Sequence, residues 1–152
     1  MKKVLIALDY HPVSEKVAEA GYELAKKLDA EVCLLHVVAD ASYYEISYPE
    51  FMGYVPVNEV ANSGEKLNDM QKTGEEFLEK SAAHLKDPSV KIHLAEGKAK
   101  DAILNYSREW KADILVMGTH SHNVIEKVVL GTVASSVIER TKIPVYLVPV
   151  KK

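Results

Sequence analysis

Apolar residues follow two rhythms along this chain. Near-continuous apolar runs occupy Val4–Leu8, Val32–Val38, Ile114–Met117 and Pro144–Val150. Such runs suit strands covered on both faces, as in a parallel sheet held between helix layers. A fifth segment, Val90–Leu94, alternates apolar with polar, which predicts an edge strand with one wet face. Between the runs the period changes. Val17, Gly21, Leu24, Ala25 and Leu28 recur every three or four positions, and so do Met70, Gly74, Phe77, Leu78, Ser81 and Leu85, headed by Leu67. Ala99, Ala102, Ile103, Tyr106 and Trp110 form a third stripe; Ala134, Val137 and Ile138 form a shorter one. Each stripe predicts an amphipathic helix packed on a core. The resulting order, β-α-β-α-β-α-β-α-β, predicts an α/β fold: an open five-stranded parallel doubly wound sheet with helices on both faces. Ligands of such sheets bind beyond the carboxyl ends of the strands, where the strand order reverses. The loops beginning at Asp9, Val37 and Gly118 are therefore the places to look for a site.

With 152 residues the chain reads as a single domain, 1–152. It is 47% hydrophobic and 27% charged, with a net charge of −3, and no basic footprint points to nucleic acid. The N-terminal apolar run stops at Asp9, too short for a secretory signal, and no stretch is long enough for a membrane span. The single cysteine, Cys33, lies within an apolar run and reads as a core residue of a reduced, cytoplasmic protein. One segment departs from the pattern. Residues 39–63 carry Tyr43, Tyr44, Tyr48, Phe51 and Tyr54 among prolines. A Tyr-rich insert of this length reads either as a flap packed on the domain or as a lid or dimer contact.

The stretch from Met117 to Val133 carries the chemistry. It leaves a buried strand at Gly118 and enters a helix after Gly131, with Thr132 placed to cap that helix. Amides at a helix start are unpaired and carry partial positive charge, which favours anions. Glycines at 118 and 131 admit close backbone approach and positive φ, and Thr119, Ser121 and Thr132 add hydroxyl groups. The set suits phosphate. It is not a Walker A loop, since no G-x-x-x-x-G-K-[ST] string occurs, and no G-x-G-x-x-G follows the first strand.

Gly118-x-x-Ser121, nine residues, then Gly131-Thr132 resembles the nucleotide motif of the universal stress protein family, G-x-x-G, nine residues, then Gly and Ser or Thr. Val4–Asp9, Leu34–Val38, Ala112–Gly118 and Ile143–Val148 resemble that family's strands in the same order. The resemblance implies a Rossmann-like fold of the adenine nucleotide alpha hydrolase type, strand order 3-2-1-4-5. It implies an ATP site, or one for AMP or ADP. Asp9 would accept from ribose hydroxyls and Val37 would offer backbone to the adenine edge. Gly118, Thr119, Ser121, Gly131, Thr132 and Val133 would surround the phosphates. Ala7 and Met117 complete the expected set. No side chain is expected to ligate metal; Mg²⁺ would be held through phosphate oxygens.

Ser121 departs from the family pattern, where the nucleotide-binding members have glycine. At positive φ a serine costs about 1 kcal/mol or somewhat more, and a loss of about 1.4 kcal/mol would weaken binding about tenfold. His120 and His122 read either as donors near the phosphates or as solvated loop residues. A metal trio with His36 lacks a recognisable ligand pattern. No general base faces a γ-phosphate, so the expectation is a nucleotide-binding stress or regulatory protein and not an efficient enzyme. The alternatives are a nucleotide-free dimeric interaction module or a slow ATP hydrolase. The last strand is apolar on both faces, and Pro149 suits an edge or a strand end. A homodimer through Val145–Val150 is expected, as the resemblance also implies.

Overall fold

A computed structural model of the chain describes residues 1–9, 14–38, 63–119 and 130–150. The Tyr-rich insert, apart from residue 63, lies outside the described residues, as do 120–129. The elements alternate as the pattern predicts. They are β1 (Lys3–Leu8), α1 (Ser14–Lys27), β2 (Glu31–Val38), α2 (Ser63–His84), β3 (Lys91–Glu96), α3 (Ala99–Glu109), β4 (Ile114–Gly118), α4 (Thr132–Arg140) and β5 (Val145–Val148). All four strand pairings are parallel and the order is β3-β2-β1-β4-β5. The chain runs outward from β1 to β3, then returns past β1 to build β4 and β5. Neighbouring β1 and β4 therefore define the switch point.

Strand alternation divides the core into two layers. Val4, Ile6, Leu34 and Val116 pack beneath α1 and α2, against Val17, Ala18 and Leu78. Leu5, Cys33, Leu35 and Leu115 pack on the other face, against Ile103 and Leu104 of α3 and Ala134 and Val137 of α4. This is why the central runs do not alternate in polarity: both faces are dry. Gly21 allows α1 its close approach. A Cβ there would stand 2.7 Å from Ile6 Cδ1. Gly97 ends β3 at φ 118°, a conformation that disfavours side chains, and donates its amide to the Val38 carbonyl at 2.9 Å.

Two stripe positions differ from expectation. Leu28 and Ile138 are exposed, because Leu28 falls just beyond α1 and Ile138 faces away from the sheet side of α4. β3 is an edge strand as the alternation suggests, with Lys91, Ile92 and Glu96 exposed. β5 forms the opposite edge. Among the described residues no helix is long and apolar enough to cross a membrane.

Candidate functional site

A cleft opens at the carboxyl ends of β1, β2 and β4, at the switch point. Its floor comes from strand ends: Ala7 and Leu8 of β1 with Asp9 just beyond, Leu35 to Val37 of β2, and Met117 and Gly118 of β4 followed by Thr119. One wall is the start of α1, with Ser14 and Val17. The other comes from the starts of α3 and α4, with Ala99 and Ile103 and with Gly131, Val133 and Ala134. Val150, beyond β5, also borders it.

The two ends of the long motif are tied together. The Thr119 carbonyl accepts the Gly131 amide at 2.8 Å, and the Thr119 amide donates to the Val148 carbonyl at 3.1 Å. The Thr119 hydroxyl oxygen accepts the Val150 amide at 3.1 Å. These contacts correct three expectations. The Gly131 amide is not open to an anion, because it closes this junction. Gly131 has φ −58° and Gly118 is not among the positive-φ residues, so what these glycines supply is the absence of a side chain. Thr132 does not cap α4. Gly131 is the N-cap, its carbonyl taking the Ser135 amide at 2.9 Å, and no side chain caps the helix. The amides of Thr132, Val133 and Ala134 precede the first carbonyl they could reach within the helix. No acidic residue stands in that first turn, so the partial positive charge there is not offset by the helix itself.

Of the residues singled out from sequence, the structure thus gathers Ala7, Asp9, Val37, Met117, Gly118, Thr119, Gly131 and Val133 around one cleft. Thr132 is exposed in the first turn of α4, outside the lining. His120, Ser121 and His122 lie outside the described residues.

Sequence reasoning did not select Ser14, His36 or Val150 as cleft residues. His36 is buried at the end of β2, its ring set edge-on to Phe77 at 5.2 Å. Its Nδ1 lies 2.8 Å from the Leu8 carbonyl, which can only accept, so Nδ1 carries the proton. Burial pushes the imidazole below its ordinary pKa, against the opposing pull of that carbonyl and of Asp9. His36 is therefore neutral and holds the end of β2 against that of β1. Its place inside an apolar run was the available signal. Val150 had none, since its link to Thr119 spans 31 residues.

The chain matches the universal stress protein family over residues 1–149. Universal stress protein MJ0531 of Methanocaldococcus jannaschii is 32% identical over 149 residues, covering 97% of this chain and 81% of that protein. The solved structure of hypothetical protein MJ0577 superposes with a TM-score of 0.77 at 25% identity, over 99% of this chain and 97% of that one. More distant structures share the fold. A universal stress protein in complex with cAMP has a TM-score of 0.58 at 19% identity, covering 97% of this chain and 95% of that one. The universal stress protein from Archaeoglobus fulgidus in complex with dAMP has a TM-score of 0.56 at 18% identity, with 97% of each chain covered. With the match running through all five strands and both ends of the motif, this chain belongs to the universal stress protein family.

Proposed function

We propose that this chain binds an adenine nucleotide, ATP or one of its lower phosphates, as a regulatory ligand and not as the substrate of an efficient enzyme. The observation that carries the reading is the pairing of two unlike walls in one cleft. Asp9 stands at the end of β1, while the first turn of α4 reaches the lining at Val133 and Ala134 with no acid in it. A carboxylate suits sugar hydroxyls, and a helix start suits phosphate. Beside β1, Val37 of β2 brings a strand end to the lining, where backbone groups can meet a base edge. Ala7, Met117, Gly118, Thr119 and Val133 complete the described part of the site; His120, Ser121 and His122 belong to the same proposal through the motif. The cAMP and dAMP complexes of relatives support an adenine ligand.

Mg²⁺ fits as a phosphate-bound ion. Asp9 is the one carboxylate in the described lining, too few ligands for a protein-held site. Bound, the ion would neutralise phosphate charge. Calorimetry with ATP and Mg²⁺ should give saturable binding, without sustained phosphate release. Flat titrations with ATP, ADP and AMP would overturn the reading, and turnover near one per second would replace it with a hydrolase.

The same proposal includes a symmetric homodimer through β5. β5 is an edge strand, yet it exposes Tyr146 at 44%, and Ile138 of α4 is exposed at 38%. Apolar groups along an open edge favour pairing with a second copy. Light scattering should give twice the chain mass, and Tyr146→Lys should shift it to that of one chain.

A further inference from the structure

We infer that Ser14 is a sugar-hydroxyl contact, by which this cleft distinguishes ribose from deoxyribose; the inference rests on the adenine-nucleotide reading. The buried stripe of α1 is Ser14, Val17, Ala18, Gly21 and Ala25. Four of these positions hold apolar or small residues packed on the sheet. The first holds a hydroxyl. Ser14 is only 6% exposed and borders the cleft. Among the described residues its hydroxyl has no hydrogen-bond partner: it neither caps α1 nor bonds back to a carbonyl as Ser81, Ser107 and Thr73 do. The residue packs against the sheet while its hydroxyl stays accessible from the cleft, so a ligand can bond to it without displacing a protein partner among the described residues. What the serine adds is one donor and one acceptor at the lining of the cleft.

Charge decides which part of a nucleotide it meets. The start of α1 already has Asp9 nearby in the lining and Glu15 in its first turn, whereas the first turn of α4 has no acid. Phosphate is therefore favoured at α4, and a neutral polar group at α1. In a nucleotide that group is the sugar edge. Asp9 can only accept there, while Ser14 can also donate, so the two together satisfy a hydroxyl in both senses.

The test is calorimetry of wild type, Ser14→Ala and Ser14→Thr with Mg²⁺-ATP and with Mg²⁺-2′,3′-dideoxy-ATP, together with Tm of each unliganded protein. Wild type should prefer ATP. Ser14→Ala should cut that preference about fivefold, the worth of one neutral hydrogen bond, and leave the dideoxy affinity unchanged. Ser14→Thr should restore it. Unliganded Ser14→Ala should melt no lower than wild type. Equal weakening of both nucleotides, an unchanged preference or a lowered Tm would overturn the inference. If wild type binds both nucleotides equally, the sugar contact fails and the nucleotide reading stands; if it binds neither, both fail.

Discussion

The two ends of the sheet treat their polar groups differently. At the amino end they satisfy one another. The Lys3 amide donates to Asp113 Oδ2 at 2.7 Å, and the Asp113 amide donates back to the Lys3 carbonyl at 2.8 Å. Lys91 pairs with Glu31. Asp87, between α2 and β3, takes the Tyr22 hydroxyl at 2.7 Å, Lys26 at 3.3 Å, and both the amide and the hydroxyl of Ser89. At the carboxyl end the Ser14 hydroxyl and the first amides of α4 have no such partners among the described residues. The amino end is therefore built for stability, while the carboxyl end, though tied at Thr119, Gly131 and His36, keeps some bonding capacity in reserve. Local rules tend to be broken where a ligand is expected to complete them.

Substituting one carboxylate at each end gives the sharpest separation. Asp9→Ala should weaken nucleotide binding about ten- to a hundredfold, the range for a hydrogen bond to a charged group. Asp87→Ala should leave the dissociation constant unchanged and lower Tm by a few degrees, since it releases Tyr22, Lys26 and Ser89 together. Calorimetry and thermal melts on both variants check this, and nucleotide affinity lost in Asp87→Ala would dissolve the distinction. Acid sharpens it further. The Ser89 hydroxyl, followed by the Tyr22 hydroxyl and the Ser89 amide, holds the Asp87 carboxyl below its ordinary 3.8. A depressed carboxyl contributes stability above its unfolded pKa and loses it as pH falls through the folded one. The Tm gap between wild type and Asp87→Ala should therefore be full at pH 7 and close progressively below about pH 4.

The same division explains what could be read from sequence. The strands were legible because burial on both faces forces unbroken apolar runs, as at Val32–Val38. The alternation of elements points to the carboxyl ends of the strands, and Asp9, Val37 and Gly118 do border the cleft found there. Other features depend on distances that no local pattern encodes. The Gly131 amide looks like an anion donor until Thr119 is seen 2.8 Å away. Thr132 looks like a cap until the helix proves to start one residue earlier than a cap at that position allows. Ser14 falls outside the apolar stripe read from sequence, and only its place at the cleft, with no partner among the described residues, gives it meaning.

The smallest expected effect contrasts two histidines. His36, at the carboxyl end, is held below its ordinary 6.5 chiefly by burial. His84, at the end of α2, is held above 6.5 chiefly by Glu19, whose carboxylate lies 2.7 Å from Nε2. The Glu15 charge adds to that rise; slight desolvation and the Lys86 charge oppose it. The signs are opposite. As pH falls through 6.5 the unfolded chain protonates His36 before the folded one does, so its contribution is present above 6.5 and lost below. His84 contributes below 6.5 and loses that contribution as pH rises through its raised folded value. Imidazole NMR should show His36 titrating below 6.5 and His84 above it. Because the His84–Glu19 pair is exposed, His84→Gln should lower Tm only slightly at pH 6 and not at all by about pH 9, and salt should shrink even that difference. If the two imidazoles titrate together, the ends of the sheet do not differ in the way their hydrogen bonding implies.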